Sequence, residues 1–236
     1  MKIELQSFIT GGHAIVVGAS GSIGAALVRG LEKSASFSQV TGLSRRNDGF
    51  DLLDEASIAA TASTVASMAL PLRLVIVATG VLHAGDFQPE KTWRQLDLGG
   101  LTRAFAVNAI GPALVAKHFL PLLPRQGKAV FAALSAKVGS IGDNHLGGWY
   151  SYRASKAALN QLIRTAAIEL ARSRPDAICL TLHPGTVAST LSAPFSSGHS
   201  VVEPDTAAER LLRVVDGVQP KQNGLLINHS GQPLPW

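Results

Sequence analysis

A glycine-rich segment near the start of the chain constrains the fold more than any other feature. Residues 13–17 are almost continuously apolar, and the next seven residues are Gly18, Ala19, Ser20, Gly21, Ser22, Ile23 and Gly24. Residues 22–33 then carry apolar side chains at helical spacing. Glycines between a strand and a helix let the backbone turn tightly and approach an anion at the helix N-terminus. The segment predicts a strand–turn–helix unit that binds a phosphate, with a purely structural tight turn as the alternative.

Short apolar runs and longer helical segments alternate along the rest of the chain. Further strands are predicted at residues 39–43, 72–78, 128–134, 177–182 and 225–228, with 50–52 as a candidate short strand. Helices are predicted at residues 54–68, 101–123, 151–172 and 204–216, with Asp54 as a cap and a bend near Gly111-Pro112. This alternation implies βαβ units and a parallel sheet. We predict one domain over residues 1–236, a doubly wound (Rossmann) α/β fold with a mostly parallel sheet of about seven strands flanked by helices.

The composition indicates which kinds of protein and which binding partners can be excluded. Hydrophobic residues make up 46% of the 236 residues, which excludes a disordered chain. The net charge of +5 is scattered, so we predict no nucleic-acid partner. The longest aliphatic stretch, residues 74–78, is too short to span a bilayer, and the N-terminus has no apolar signal run, so we predict no membrane partner. The single cysteine fits a reducing, cytoplasmic location. The histidines show no metal-ligand spacing, and we predict no metal site.

A tyrosine and a lysine four residues apart form the strongest candidate for chemistry. Tyr152 and Lys156 share one face of the predicted helix, because residues four apart lie one turn apart. An ammonium beside a phenol stabilises the phenolate and lowers the phenol pKa from about 10. Such a phenol can give or take a proton near neutral pH. The alternative is an exposed Tyr/Lys pair without a function.

Together these segments resemble the short-chain dehydrogenase/reductase family over nearly the whole chain. The matching features are the turn from Gly18 to Gly24, Thr79-Gly80 after a strand, Asn108 in a helix, Ser135 at a strand end, the YxxxK pair Tyr152 and Lys156, and His183-Pro184-Gly185. The segment Tyr-Arg-Ala-Ser-Lys and the C-terminal residues 231–236 are similar to short members related to C-factor, a cell–cell signalling protein. Two positions depart from the family pattern: Ser22 replaces the middle glycine of GxxxGxG, and residues 77–80 read Val-Ala-Thr-Gly instead of Asn-Asn-Ala-Gly.

The end of the second predicted strand indicates the choice of cofactor. An acidic residue there would accept the ribose 2′-hydroxyl of NAD and repel a 2′-phosphate. This chain has Ser44 at that position, followed by Arg45 and Arg46, whose guanidinium groups suit a phosphate. We therefore predict NADP(H), although a solvated basic pair would also explain the arginines. Asp51 and Leu52 resemble the family's adenine-contacting pair, and a loop cap is the alternative for Asp51.

The resemblance implies an oxidoreductase that interconverts a carbonyl and a secondary alcohol of a small-molecule substrate. Its implied catalytic residues are Asn108, Ser135, Tyr152 and Lys156. Tyr152 would protonate the developing alkoxide, Lys156 would hold the nicotinamide ribose, and Ser135 would bind the substrate oxygen, while Asn108 would help to hold a water that supplies protons to the lysine. The implied cofactor-binding residues are Gly18, Ser20, Gly21, Ser22, Ile23, Gly24, Ser44, Arg45, Arg46, Asp51, Leu52, Ala78, Thr79, Gly80, Tyr152, Lys156, Pro184, Gly185, Thr186 and Val187. The alternative function is a cofactor-binding signal or sensor protein of C-factor type with little turnover.

Two further expectations concern assembly and motion. In the family, the helices at residues 101–123 and 151–172 pair across two-fold axes, and the second helix has a wider apolar stripe than one sheet face needs. We therefore predict a homodimer or homotetramer. Residues 187–202 are rich in small polar side chains, with Leu191 and Phe195 as their main apolar groups. We predict a lid that closes over the cofactor and substrate, with a rigid loop packed by Phe195 as the alternative.

Overall fold

A parallel sheet with its strands in the order β2-β1-β3-β4-β5-β6 organises the molecule. A computed structural model describes residues 4–198 and 200–236. In this described part the strands are β1 (Gly12–Val17), β2 (Phe37–Leu43), β3 (Leu72–Val77), β4 (Ala129–Leu134), β5 (Ala177–His183) and β6 (Leu226–Asn228). Each neighbouring pair is parallel. The predicted α/β class with one doubly wound sheet is therefore confirmed, with six strands instead of about seven.

The candidate strand at residues 50–52 is not a strand in the structure. Asp51 accepts a hydrogen bond from the amide of Leu53 (2.9 Å), which turns the chain directly toward the next helix. Phe50 and Leu52 are instead buried in the core. Their apolar character therefore reflects side-chain packing and not strand pairing, which the sequence pattern alone did not separate.

Helices cover both faces of the sheet. They are α1 (Ser22–Ser34), α2 (Arg45–Asp48), α3 (Glu55–Ala66), α4 (Leu98–Phe105), α5 (Gly111–Phe119), α6 (Tyr150–Ala171) and α7 (Pro204–Gly217). Short 3₁₀ turns lie at Trp93–Gln95, Leu120–Leu122, Lys137–Gly139, Ala193–Phe195 and Pro220–Gln222. One core cluster joins the sheet to α3, α5 and α6, and a second joins its other face to α1 and α7. The predicted cap of α3 is present, because Asp54 accepts from the amide of Ala56 at 3.0 Å.

The predicted bent helix at residues 101–123 is a continuous helical run, Leu98–Leu122, with a π-helical turn at Ala106–Ile110. The turn directly precedes Gly111 and Pro112, close to the predicted bend. By length and mean hydropathy (1.3) the run could cross a membrane, a test that core helices of soluble proteins also pass, and 39% of its most apolar window is buried. Its inner face packs on the sheet through Val115 and Phe119.

The C-terminal segment covers the outer edge of the sheet beside β6. Ile227 forms an antiparallel bridge with Pro233, and the amide of Leu234 donates to Leu226 O at 2.8 Å. The amide of Asn228 donates to Gln232 O at 2.9 Å. The edge strand is therefore hydrogen-bonded on both sides.

Candidate active site

The glycine-rich turn connects β1 to α1 at the carboxyl edge of the sheet, where strand order reverses between β1 and β3. Gly18 has φ +89°, and a Cβ at Gly24 would lie 2.2 Å from Gly18 O, so both positions need glycine. Gly21 precedes α1 in extended conformation, and the helix has neither a side-chain cap nor an acidic residue in its first turn. The amide groups of this helix terminus are therefore open to an anion.

A cleft of about 420 Å³ opens beside this turn. The predicted cofactor residues that line it are Gly18, Ser20, Gly21, Ser44, Arg45, Arg46, Asp51, Leu52, Ala78, Thr79 and Gly80. Ser22, Ile23 and Gly24 lie just behind it in the first turn of α1. The cleft also includes residues that the sequence reasoning missed, namely Val17, Leu43, Phe50, Leu53 and Val107. Most of these residues are next to predicted cofactor residues in the sequence, and this position was the only indication that they line the cleft.

The chemistry of the cleft fits a polar, anionic ligand. Thr79 Oγ1 is buried and has no hydrogen-bond partner in the described part of the chain. Arg45 and Arg46 are exposed at the cleft, while the carboxylate of Asp48 accepts from the Ser44 amide at 3.2 Å. Of the charged side chains that line the cleft, two are the guanidinium groups of Arg45 and Arg46 and one is the carboxylate of Asp51, so the lining favours a phosphate. The residues present therefore fit a phosphorylated dinucleotide.

Lys156 reaches from α6 to the end of β4. Only 3% of the residue is exposed, and Nζ donates to Leu134 O at 2.8 Å. Burial lowers the pKa of Lys156 to about 7. A Cβ at Gly80 would lie 3.6 Å from this Nζ atom. Because Gly80 also lines the cleft, the lysine stands at the inner end of the candidate cofactor site.

Tyr152 lies one helical turn before Lys156, as predicted. The Lys156 Nζ atom is 5.9 Å from the centre of the Tyr152 ring. Burial raises the pKa of Tyr152 to about 12. The expected lowering of this pKa is therefore wrong, because burial disfavours the charged phenolate. At neutral pH the phenol keeps its proton and can act as a donor.

Asn108 lies in the middle of the π-helical turn and is fully buried. Its amide group donates to Val81 O (2.9 Å) and to Ser155 Oγ (3.1 Å), and its Oδ1 accepts from the Val81 amide (2.8 Å). These bonds link the helical run to α6 and to the segment after Gly80. Pro112 has no N–H, so the main-chain carbonyl of Asn108 lacks the donor that an α-helix would provide.

Ser135 follows β4, but its hydroxyl points into protein. It donates to Asn160 Oδ1 at 2.8 Å, and only 4% of the residue is exposed. Asn160 also donates to Gly139 O at 3.4 Å, so these residues fasten the end of β4 to α6. The structure gives Ser135 this packing contact, and its role as a ligand of the substrate oxygen stays a prediction.

The predicted nicotinamide segment and lid follow β5. Pro184 and Gly185 turn the chain, and Val187 forms a parallel bridge with Val202, with the Val202 amide donating to Thr186 O at 3.0 Å. In the predicted lid, residues 187–202, His199 lies outside the described residues.

Aromatic side chains connect the predicted lid to α6. The Phe195 ring makes edge-to-face contacts with Trp149 (centroids 5.1 Å apart) and with His83 (5.6 Å). Trp149 in turn contacts Tyr152 at 6.2 Å. These contacts agree with the alternative of a loop packed by Phe195, and closure of the loop over a ligand stays a prediction.

The open helix terminus, the cleft and the strand order define a dinucleotide-binding α/β domain. A family model described as enoyl-(acyl carrier protein) reductase matches residues 18–217. The chain is 31% identical to 1-hydroxy-2-glutathionyl-2-methyl-3-butene dehydrogenase of Rhodococcus sp. (strain AD45) over 188 residues, which cover 80% of this chain and 79% of that protein. This protein belongs to the short-chain dehydrogenase/reductase family, as its motifs predicted.

Two further comparisons bear on function and fold. The C-signal protein of Myxococcus xanthus is 34% identical over 142 residues, which cover 60% of this chain and 81% of that protein. A crystal structure of NADPH-bound carbonyl reductase from chicken fatty liver superposes with a TM-score of 0.78 at 23% identity, covering 98% of this chain and 96% of the other. The structural likeness concerns the fold.

Proposed function

We propose that this protein is an NADP(H)-dependent oxidoreductase that interconverts a carbonyl and a secondary alcohol, with Tyr152 as the general acid and base. One observation carries the proposal: Gly80 lines the dinucleotide cleft and also lies against Lys156, whose helix presents Tyr152. A cofactor seated on the α1 terminus would therefore extend toward a half-buried proton donor. The NADPH in the carbonyl reductase of similar fold supports the choice of cofactor.

Different residues of the chain would bind different parts of the cofactor. Arg45 and Arg46 would hold the 2′-phosphate, and the α1 terminus with Gly18 would hold the pyrophosphate. Lys156 would hold the nicotinamide ribose, and Thr186 and the Val187 backbone would orient the carboxamide. When bound, the dinucleotide supplies or accepts a hydride.

Proton transfer falls to Tyr152. In the direction of reduction, its phenol donates a proton to the alkoxide oxygen that forms, and a pKa of about 12 keeps that proton in place until the charge develops. The main-chain carbonyl of Asn108, to which Pro112 cannot donate, would bind a water that returns a proton toward Lys156. In the direction of oxidation the same phenol oxygen would accept the proton of the alcohol.

The test combines a broad carbonyl panel with two variants. Wild-type protein should oxidise NADPH with at least one aldehyde or ketone. Tyr152→Phe should bind NADPH as wild type does and lose ~10²–10⁴-fold in kcat, because the ring stays and the transferable proton goes. Tyr150→Phe is the matched control, because the residue four positions after Tyr150 is Ala154 and not lysine. A Tyr152→Phe variant with more than a tenth of the wild-type kcat would refute the assignment.

A second candidate function rests on the similarity to C-signal. In that case the protein would bind the cofactor and signal with little turnover. NADPH binding without turnover of any compound in the panel would favour this function. Turnover that depends on Tyr152 would favour the enzyme.

A further inference from the structure

The catalytic helix begins in an unusual way. Trp149, the residue before α6, adopts the left-handed conformation (φ 54°, ψ 42°) and makes no side-chain cap. Gly147 and Gly148 before it also have positive φ. The left-handed conformation costs a non-glycine residue ~1–2 kcal/mol, so other contacts must hold Trp149 in place. The first amide groups of α6 likewise need acceptors from elsewhere.

Glu90, 61 positions before Ser151, supplies these acceptors. Its carboxylate accepts from the Ser151 amide at Oε2 (3.1 Å) and from the Ser151 hydroxyl at Oε1. Its main-chain carbonyl accepts from the Trp149 amide at 2.5 Å. Only 4% of Glu90 is exposed, and Ser151 is also buried. A carboxylate at a helix N-terminus is further favoured by the helix dipole.

Arg153 holds the same turn from the other side. Its guanidinium donates to the carbonyl oxygens of Gly147 (3.2 Å), Gly148 (3.0 Å) and Val138 (3.3 Å). The turn before α6 is thus fixed at its amide by Glu90 and at its carbonyls by Arg153. The side chain that this turn presents, Trp149, contacts both Tyr152 and the lid residue Phe195.

We propose that Glu90 is a positioning residue for Tyr152, a buried carboxylate that caps the catalytic helix from the loop following the cofactor cleft. The proposal rests on the proposed function. Ser151 is covalently adjacent to Tyr152, so the Glu90–Ser151 bonds set where the first turn of α6 begins and where the phenol stands. A displacement of about 1 Å in a reacting group can cost about 10²-fold in rate. Glu90 touches neither the cofactor cleft nor the phenol.

Glu90→Ala and Glu90→Gln form the central pair of variants. Glu90→Ala should lower kcat by about 10²-fold and leave the Kd for NADPH within about twofold of wild type, because the cofactor cleft is elsewhere. Glu90→Gln should restore kcat to within about fivefold of wild type, because the amide oxygen still accepts from the Ser151 amide and the Ser151 hydroxyl can rotate to accept. A general loss of stability would not explain a recovery of kcat in Glu90→Gln, nor a loss of kcat in Glu90→Ala at unchanged affinity for NADPH.

Asp97→Ala is the matched control. Asp97 also caps a helix with its carboxylate, accepting from the Gly100 amide at 2.8 Å at the start of α4. Its loss should lower stability by about 1 kcal/mol, an effect typical of caps, and leave kcat unchanged. An Asp97→Ala variant that lost as much kcat as Glu90→Ala would overturn the proposal, because any lost cap would then suffice.

Hydrogen exchange gives a readout that needs no turnover. The Ser151 amide should exchange at least tenfold faster in Glu90→Ala than in wild type, and the central amides of α6 should be unchanged. Unchanged exchange at Ser151, or a Glu90→Ala kcat within threefold of wild type, would overturn the proposal.

If Glu90→Ala does not fold, Ser151→Ala tests the proposal instead. This variant should lose about three- to tenfold in kcat, and an unchanged kcat would overturn the proposal. A wild type inactive on every carbonyl would refute the proposed function, and the Ser151 exchange would then decide whether Glu90 caps α6.

Discussion

The buried lysine predicts how stability depends on pH, independently of catalysis. Burial lowers the pKa of Lys156 from its ordinary value of 10.5 to about 7 in the folded protein. Between these values the unfolded chain binds a proton that the folded chain does not, so the free energy of unfolding rises with pH across this window. Below about pH 7 both states are protonated, and the cost of burying the ammonium is fully present.

The size of the effect follows from the two pKa values. Each pKa unit corresponds to about 1.4 kcal/mol, so the difference between 10.5 and about 7 sets a ceiling of roughly 5 kcal/mol. Local relaxation and water penetration reduce such penalties in real proteins to a few kcal/mol. The contact with Leu134 O recovers part of the cost, since a hydrogen bond from a charged group contributes ~1.5–3 kcal/mol. We expect a measurable change of ~2–4 kcal/mol across the window.

Lys156→Met tests this reasoning, because methionine fills similar space without a charge. The free energy of unfolding would be measured by urea titration from about pH 6 to pH 10 without cofactor. The free energy of unfolding of the variant should exceed that of wild type by the largest amount near pH 6. This difference in stability should shrink by ~2–4 kcal/mol toward pH 10. Lys91→Met, at an exposed lysine, should show no such trend. If the difference in free energy of unfolding between wild type and variant stays constant with pH, the Lys156 ammonium is solvated in the folded protein.

Four further outcomes are expected. Arg45→Ala with Arg46→Ala should weaken NADPH binding ~10- to 150-fold and NADH binding little, and equal losses in titrations of both cofactors would contradict the 2′-phosphate assignment. Ser135→Ala should cost ~1–3 kcal/mol in urea unfolding, because its hydroxyl bonds Asn160, and should also lower kcat if Ser135 binds the substrate oxygen; an unchanged kcat would refute that predicted role. Hydrogen exchange in residues 187–202 should slow when NADP and a substrate analogue are added, and full protection without ligand would exclude a lid. Light scattering at micromolar concentration should give a dimer or tetramer mass, because Ile110, Leu162 and Ile168, on the two helices expected to pair, are exposed, and a monomer mass would exclude this.

Local features of the fold could be predicted from the sequence because their causes are local. The requirement for glycine at Gly18 and Gly24 follows from one turn, and the Asp54 cap follows from one helix start. The Tyr152–Lys156 spacing depends only on helical geometry. The glycine turn and the Tyr152–Lys156 pair also carried the family assignment, which the comparisons confirmed.

Features that depend on distant parts of the chain could not be predicted in this way. The direction of the Tyr152 pKa shift depends on burial by the surrounding fold, which no short motif encodes. The bond from Ser135 to Asn160 joins residues on different elements. Trp149 adopts the left-handed conformation although tryptophan is not a residue type that favours it, and its amide is held by Glu90, which is distant in the sequence.

The hydrogen-bonded C-terminal segment has a practical consequence for the β6 edge. Unpaired sheet edges are templates on which other chains add strands and aggregate. Here the bridge between Ile227 and Pro233 occupies that template, and proline cannot donate to a further strand. Trimming or displacing the last five residues would uncover a row of free amide and carbonyl groups. An affinity tag is therefore better attached away from Trp236, because chain added there adjoins the segment that covers the β6 edge.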